Sequence, residues 1–172
     1  MPPRETLYYL DTSALAKLYL DEPGSRRLAS WVGKRVRGFT PEVRIFVSRI
    51  VFAEAMSAIA RRRNENHLSA EAAVRLWGEV IADFTRPRPP YEILEVTEAV
   101  VYQAALLVAR YRLRAYDAVH LATAMRLQLL LKDSFEVVFV CSDRRLTLAA
   151  EDERLRVVDP VTRRRRPRAR SS

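Results

Sequence analysis

Short apolar runs alternate with longer stretches of helical periodicity along this chain, and the alternation restricts the fold more than any other feature of the sequence. The runs predict strands at residues 7–10, 44–48, 93–96, 137–141 and 155–158. The fourth run consists of β-branched and aromatic residues, which is typical of a strand buried on both faces. Strands that alternate with helices predict a parallel α/β sheet with helices on both faces, whose strand ends meet at one edge.

The stretches between the strands predict helices that begin at residues whose side chains accept hydrogen bonds from backbone N–H groups. We expect Thr12 or Ser13 to cap the first helix, Ser25 the second, Ser48 the third and Thr97 the fifth. Apart from the helix after Ser25, the predicted helices cover residues 13–20, 49–66, 69–84, 98–111, 117–131 and 143–150. The helix at residues 117–131 is apolar around most of its circumference, so we expect it to be buried.

Length and composition indicate one soluble domain with a basic end. The chain has 172 residues and a net charge of +9, and six arginines lie within residues 163–170. No apolar run approaches the ~18 residues of a membrane span, and Asp11 and Lys17 interrupt the apolar amino-terminal region, so we expect no secretory signal. We therefore expect a cytoplasmic protein without membrane association. The single cysteine, Cys141, lies in an apolar run and is expected in the core.

Four acidic residues stand in apolar surroundings. Asp11 ends the first strand, Glu54 lies in an apolar helical stretch, Asp117 opens the most apolar helix, and Asp143 follows the fourth strand. Ionised carboxylates in such places cost several kcal/mol unless something pairs them, and these segments offer no matching set of cations. A shared divalent cation would compensate all four. Oxygen ligands without a His/Cys cluster favour Mg²⁺ or Mn²⁺ over zinc.

Each acid also has a structural explanation when it is considered alone. Asp117 and Asp143 are good helix caps, and Glu54 is spaced to pair with Arg61 or Arg62. Asp11 has the weakest structural explanation, because the hydroxyl residues after it can cap the helix. The hypothesis of a metal site therefore rests on the four acids together. It predicts that at least one of the clustered carboxyls has a raised pKa in the absence of metal.

The acid-bearing segments resemble the motifs of PIN-domain ribonucleases, especially the VapC-type toxins of prokaryotic toxin–antitoxin pairs. Residues 9–19, Tyr-Leu-Asp-Thr-Ser-Ala-Leu-Ala-Lys-Leu-Tyr, look like the opening motif of that family. Residues 113–124, Leu-Arg-Ala-Tyr-Asp-Ala-Val-His-Leu-Ala-Thr-Ala, resemble its third-acid segment, and residues 48–54 and 139–146 resemble the second and fourth. The resemblance covers residues 7–160 and places the family's acids on Asp11, Glu54, Asp117 and Asp143.

The resemblance implies a fold and a division of the chain. The fold is a PIN-like three-layer α/β/α domain with a mostly parallel sheet of about five short strands, over residues 1–160. Residues 161–172 lie outside the family pattern, as does the Pro-rich connector at residues 86–90. The block of like charges in residues 161–172 predicts a basic, disordered tail, which either contacts nucleic acid or is solvated without a specific role.

The resemblance also implies an activity and partners. The activity is Mg²⁺- or Mn²⁺-dependent hydrolysis of RNA phosphodiester bonds by a toxin that a cognate antitoxin protein blocks, and the chain is expected to form a homodimer. Asp11 and Asp117 are then the main metal ligands, and Glu54 and Asp143 complete the site directly or through water. Hydroxyl groups next to the acids are expected to orient the carboxylates; they belong to Thr12, Ser13 and Ser142.

Cations and a histidine lie close to the acids in the sequence. Arg49, Arg114, Arg144 and Arg145 are candidates for phosphate contact, although each is equally well explained as a solvated surface arginine. His120 follows Asp117 by three residues and is within reach of the site. A lone helical histidine is more often packed or solvated, and we expect that for His120.

Three other functions remain open at the level of the sequence. A phosphatase or phosphotransferase of the haloacid-dehalogenase type needs a second Asp two residues after the first, and Ser13 stands there instead. A non-catalytic RNA-binding module would explain the basic charge but not four acids in apolar surroundings. A housekeeping PIN nuclease that processes RNA would carry the same residues as a toxin.

Overall fold

The computed structural model describes residues 5–31, 44–131 and 134–162, in which five parallel strands form one sheet in the order β3-β2-β1-β4-β5. The strands are β1 (Glu5–Leu10), β2 (Ile45–Ser48), β3 (Glu92–Leu94), β4 (Phe135–Val140) and β5 (Arg156–Val158). The sequence-based prediction of a parallel α/β/α fold with about five short strands is confirmed. The arginines of residues 163–170 lie outside the described residues.

Helices cover both faces of this sheet, as the alternating pattern predicts. In the described part of the chain they are α1 (Thr12–Ala16), α2 (Ser25–Trp31), α3 (Val51–Asn64), α4 (Ala70–Thr85), α5 (Glu98–Tyr111), α6 (Ala115–Leu131) and α7 (Arg144–Asp152). None of these helices combines the length and the apolar character that crossing a lipid bilayer requires.

The central strand β1 has neighbours from two different parts of the chain. The chain proceeds from β1 to β2 and β3 on one side, and then crosses to β4 and β5 on the other. Leu10 of β1 is in register with Val140 of β4, and the Asp11 amide donates to the Val140 carbonyl oxygen at 3.2 Å. The carboxyl ends of β1 and β4 therefore lie side by side where the strand order reverses, which is where open α/β sheets bind ligands.

Alternating side chains of the strands enter two hydrophobic cores, one on each face of the sheet. Leu7 and Tyr9 point to the core under α5 and α6, and Leu10 belongs to the core under α1, α3 and α4. The Tyr9 ring stacks on the Phe139 ring with 5.5 Å between centroids. The predicted burial of α6 is confirmed, since five apolar residues of this helix are buried: Ala118, Leu121, Ala122, Ala124 and Leu127. Cys141 is buried, as expected.

The beginning of α1 differs from the prediction. Asp11, rather than Thr12 or Ser13, is the cap, and its side chain accepts the Ala14 amide at 2.8 Å. The helix ends at Ala16 rather than near residue 20, because the Lys17 amide bonds to the Ala14 carbonyl three residues back and the chain leaves the α-helical pattern. Asp11 therefore has a structural role that the sequence analysis assigned to its neighbours.

Helices α3 and α6 also begin elsewhere than predicted. Ser48 is the last residue of β2 and does not cap α3, which begins at Val51 after Ile50 without a side-chain cap. The Arg49 amide still bonds to the Leu94 carbonyl, so strand pairing continues past Ser48 and delays the helix. Helix α6 begins at Ala115, two residues early, which places Asp117 in its first turn rather than at its cap. Thr97 caps α5 as predicted.

Candidate active site

Asp11 lies at the carboxyl end of the central strand and is almost completely buried, with 3% of its surface exposed. Its Oδ1 accepts the Ala14 amide and the Ser13 hydroxyl, each at 2.8 Å, and Oδ2 lies 3.0 Å from the same hydroxyl. Burial raises the pKa of the Asp11 carboxyl above its ordinary value, although His120, Cys141 and the hydrogen bonds from Ala14 and Ser13 act in the opposite direction. The negative charge of Asp11 is therefore only partly compensated.

Asp117 and Asp143 lie at two helix beginnings, in the first turn of α6 and at the cap of α7. Asp117 is half-buried, and burial raises the pKa of its carboxyl, with the negative charges of Asp143 and Asp11 adding to the rise. Arg114 and His120 oppose the rise without cancelling it. The negative charges of Asp11 and Asp143 therefore both act on the Asp117 carboxyl. The predicted rise in pKa through neighbouring carboxylates is found at Asp117, whereas burial is the main cause of the rise at Asp11.

Asp143 is an exposed cap as well as a member of this group. Its Oδ1 accepts the Leu146 amide at 2.9 Å, which is the capping role that its position after β4 suggested. The neighbouring Ser142 amide donates to the Ser13 hydroxyl oxygen at 3.0 Å, and the Ser142 hydroxyl donates to Asp159 at 2.9 Å. Ser13 and Ser142 thus hold the loops after β1 and β4 together, and of these two serines Ser13 is the one that bonds directly to a candidate acid.

Glu54 has partners of its own. Its Oε2 accepts the Thr12 hydroxyl at 2.5 Å and lies 2.7 Å from His120 Nε2. Burial acts to raise the pKa of the Glu54 carboxyl, but the hydrogen bond and charge of His120, with the bond from Thr12, hold that pKa below its ordinary value. Neither Arg61 nor Arg62 pairs with Glu54; Arg62 instead contacts Glu22 at 2.5 Å. Pairing with these arginines, one of the two explanations left open for Glu54, is therefore wrong.

His120 is the residue that sequence reasoning undervalued. It is packed, as expected, with 1% of its surface exposed, yet it also contacts the candidate site through Glu54 and Thr12. Its other nitrogen, Nδ1, lies 3.0 Å from the Tyr9 hydroxyl oxygen. Glu54 therefore has a hydrogen-bonding partner on another helix that the sequence pattern did not predict. A histidine in the most apolar helix was the signal, because a buried imidazole needs polar partners.

The candidate phosphate-binding arginines differ in their surroundings. Arg114, Arg144 and Arg145 are exposed near the two helix beginnings that carry Asp117 and Asp143. Arg114 influences the Asp117 carboxyl, and Arg145 donates to the Arg112 carbonyl oxygen at 3.1 Å. Arg49 is exposed but forms an ion pair with Glu95 at 2.5 Å. Glu95 therefore neutralises much of the charge that Arg49 would offer to an anion.

The donor atoms of this site suit a hard divalent cation in chemistry and in charge. Within residues 5–31, 44–131 and 134–162, no three His, Cys, Asp or Glu side chains are grouped closely enough to hold a metal ion as they stand. The carboxylates of Asp11, Asp117 and Asp143 are nevertheless oxygen donors of the kind that Mg²⁺ and Mn²⁺ prefer. The raised pKa values of Asp11 and Asp117 mean that a nearby positive charge would stabilise their ionised forms.

Solved structures share this fold at low sequence identity. FitAcB from Neisseria gonorrhoeae aligns at 18% identity and a TM-score of 0.60, over 90% of this chain and 98% of that chain. A toxin–antitoxin complex from Klebsiella pneumoniae aligns at 16% and 0.51, over 89% and 97%. DNA-bound VapBC from Salmonella typhimurium aligns at 15% and 0.50, over 90% and 98%. No curated protein matches the sequence.

The family follows from a match to the sequence itself. A model of the PIN domain family matches residues 8–161, which is most of the chain and includes all four candidate acids. The strand order and the position of the acids at the reversal point accompany this match. The chain therefore belongs to the PIN domain family.

Proposed function

We propose that this protein is a divalent-metal-dependent ribonuclease, that it acts as the toxin of a toxin–antitoxin pair, and that residues 1–160 form its nuclease domain. The observation that carries the nuclease proposal is the closeness of Asp117 to Asp11 and Asp143, whose negative charges raise the pKa of the Asp117 carboxyl. Asp11 and Asp143 follow the two strands, β1 and β4, at which the strand order of the sheet reverses. A divalent cation would neutralise the negative charge of such a group of carboxylates. A metal-dependent phosphodiesterase requires carboxylates grouped in this way to bind its metal ion.

Each residue has a task in the proposed reaction. Asp11 and Asp117 hold the metal ion, Asp143 completes the site from the α7 cap, and Glu54 contributes from the α3 side. A bound Mg²⁺ or Mn²⁺ lowers the pKa of its water and offsets charge on the scissile phosphate. Ser13 fixes the orientation of the Asp11 carboxylate through its hydrogen bond.

The RNA and the partner protein belong to the proposal as well. The exposed arginines Arg114, Arg144 and Arg145 lie near the acids and are available for phosphate groups of a bound strand. The choice of RNA rests on the family resemblance. The toxin role, the antitoxin and the homodimer are supported by that resemblance and by the fold shared with a solved toxin–antitoxin complex.

The nuclease proposal is tested by RNA cleavage with purified protein. We expect cleavage with Mg²⁺ or Mn²⁺, none with a chelator, and loss of cleavage in Asp117→Asn. The matched control is Asp152→Asn, because Asp152 is an exposed aspartate at the far end of α7 from Asp143 and should be dispensable. Cleavage by Asp117→Asn at the wild-type rate would exclude the site. RNA binding without cleavage by the wild type would favour a non-catalytic RNA-binding module.

The toxin proposal needs a cellular experiment. Induced expression in a bacterial host should arrest growth, and Asp117→Asn at equal abundance should not. Co-expression of the neighbouring gene product should relieve the arrest if that product is the antitoxin. Unchanged growth with a wild-type protein that cleaves RNA in vitro would favour a housekeeping nuclease instead.

A further inference from the structure

A buried series of hydrogen-bonding groups connects the central strand to Glu54 through His120. The Tyr9 hydroxyl oxygen lies 3.0 Å from His120 Nδ1, and His120 Nε2 lies 2.7 Å from Glu54 Oε2 and 3.0 Å from Thr12 Oγ1. Tyr9 is completely buried and its ring stacks on Phe139 in the sheet. The imidazole is thus fixed from both of its nitrogens, and Tyr9 ties it to the most rigid part of the fold.

The hydrogen bonds at Glu54 determine which atom of His120 carries a hydrogen. The Glu54 carboxylate, when ionised, can only accept hydrogen bonds, so Nε2 must be a donor. The Thr12 hydroxyl donates to the same oxygen, Oε2. Among the described residues, no group hydrogen-bonds to Oε1, and the Glu54 side chain is 18% exposed. One oxygen of Glu54 is therefore occupied twice and the other is available.

The hydrogen bonds distinguish Glu54 from two of the aspartates. Glu54 bonds through one oxygen to side chains of two other helices, those of Thr12 and His120. Asp11 and Asp143 instead accept backbone amides at the helix beginnings that they cap.

We propose that His120 is a positioning residue for Glu54: by holding Oε2 together with Thr12, it leaves Oε1 as the single oxygen that Glu54 offers to a divalent ion or to its water. This inference rests on the proposed function for its chemistry. Asp11 and Asp117 then provide the main metal contacts, and Glu54 sets the geometry of the site without binding the ion through both oxygens. His120 itself does not contact RNA.

The inference is tested with two variants of His120, which differ in whether they keep an N–H donor, and with one control variant. His120→Leu removes the donor and keeps a buried side chain, and His120→Gln restores an N–H donor. His67→Gln is the matched control at the exposed histidine of the chain. Mn²⁺ binding is measured by electron paramagnetic resonance without RNA, and cleavage is measured separately.

We expect His120→Leu to weaken Mn²⁺ binding by about tenfold and to lower kcat by about 10–100-fold, the usual effect of removing a partner of a metal ligand. KM for RNA should change by less than twofold because His120 is buried. His120→Gln should recover part of both losses, and His67→Gln should match the wild type. Wild-type Mn²⁺ binding and kcat in His120→Leu would overturn the inference, as would equal losses in the Leu and Gln variants.

A double-mutant cycle with Glu54→Gln separates positioning from general packing. If His120 acts through Glu54, adding His120→Leu to Glu54→Gln should reduce kcat by less than about threefold, because the shared interaction is already lost. Full multiplicative losses would show that His120 acts in another way and would overturn the inference.

A spectroscopic measurement keeps this inference separate from the nuclease proposal. In metal-free wild type, the imidazole ¹⁵N spectrum should show a hydrogen on His120 Nε2, and Glu54→Gln should shift that resonance. A His120 resonance that does not shift in Glu54→Gln would overturn the inference, whether or not the protein cleaves RNA. A wild type that binds Mn²⁺ but cleaves no RNA would refute only the proposed function, and one that binds no Mn²⁺ would refute both.

Discussion

The Ser13 hydroxyl donates to Asp11 Oδ1 at 2.8 Å, and its oxygen accepts the Ser142 amide at 3.0 Å. Ser13 follows the central strand β1 and Ser142 follows its neighbour β4. One hydroxyl group therefore connects the two strand ends where the order of the sheet reverses. It orients the buried carboxylate and positions the loop that leads to Asp143.

Replacing Ser13 by Ala should lower both stability and cleavage. The Ser142 amide would lose its acceptor, and an unsatisfied group of this kind costs about 1–3 kcal/mol. Asp11 would keep the Ala14 amide as a backbone donor but would lose its hydroxyl partner. Urea unfolding and metal-dependent RNA cleavage measure the two effects. Ser30→Ala, at an exposed serine, is the control, and an unchanged urea midpoint together with unchanged cleavage in Ser13→Ala would contradict the role.

Asp117→Asn should raise the melting temperature in the presence of a chelator while it abolishes cleavage. The pKa of Asp117 is raised in the folded protein, so the folded state binds this proton more tightly than the unfolded state. Ionisation of Asp117 at pH 7 therefore destabilises the fold, and a neutral amide removes that penalty. Each kcal/mol recovered corresponds to about 2–4 °C in a domain of this size. Calorimetry measures the melting temperatures, with Asp152→Asn as the control. A melting temperature of Asp117→Asn below that of the wild type would contradict the prediction.

The difference in stability between Asp117→Asn and the wild type should depend on pH, because the pKa of Asp117 is raised in the folded state. Below the ordinary aspartate pKa of about 3.9, residue 117 is neutral in the folded and the unfolded states alike, so Asp117 carries no penalty. As pH rises through the raised pKa of the folded state, the wild type loses stability relative to Asp117→Asn. Urea midpoints measured between pH 4 and pH 7 should diverge with rising pH. Parallel profiles for the two proteins would show that Asp117 is not perturbed.

Added Mn²⁺ should stabilise the wild type more than the aspartate variants. A ligand at 100 times its Kd stabilises the folded state by about 2.7 kcal/mol if it does not bind the unfolded chain. Asp11→Asn and Asp117→Asn remove proposed ligands, so the rise in their melting temperatures should be much smaller. Thermal melts at increasing Mn²⁺ measure the effect. An equal rise in Asp117→Asn would place the ion elsewhere.

The alternation of strands and helices was predictable because it depends on local periodicity. The order of the strands was not predicted, because pairing of β1 with β4 joins residues about 130 positions apart. The predicted helix boundaries are wrong where tertiary contacts override the local preference of a residue. Ser48 is a good cap by residue type, yet it stays in β2 because pairing with β3 continues beyond it.

The candidate site was likewise predicted only in part, because contacts between residues distant in the sequence cannot be inferred from local patterns. The four acids were identified from their apolar surroundings and from the resemblance to a family. Asp11 was expected to have the weakest structural explanation, because Thr12 or Ser13 could cap the helix, but Asp11 itself caps α1. His120 was undervalued because its partner Glu54 lies 66 residues away on another helix. Local spacing suggested Arg61 or Arg62 for Glu54, and only the fold shows that α6 brings the imidazole there.

Gly24 and Gly78 should respond in opposite directions to the same substitution. Gly24 has a φ of +93°, and a Cβ atom there would lie 2.9 Å from the Pro160 carbonyl carbon and oxygen. Pro160 follows Asp159, the acceptor of the Ser142 hydroxyl, so this close approach packs the loop before α2 against the segment behind the site. Gly78 lies in the exposed part of α4 with nothing within 4 Å of an added Cβ.

Gly24→Ala should destabilise the protein by about 2 kcal/mol or more, because left-handed backbone alone costs an L-residue about 1–2 kcal/mol and the contact with Pro160 adds to it. Gly78→Ala should stabilise by about 0.5–1 kcal/mol, since alanine loses less conformational freedom in a helix than glycine. Urea unfolding of both variants measures the two changes in the free energy of unfolding. Because Gly78 is remote from the acids, its variant should cleave RNA normally. A Gly24→Ala variant as stable as the wild type would mean that the Gly24–Pro160 approach relaxes without cost.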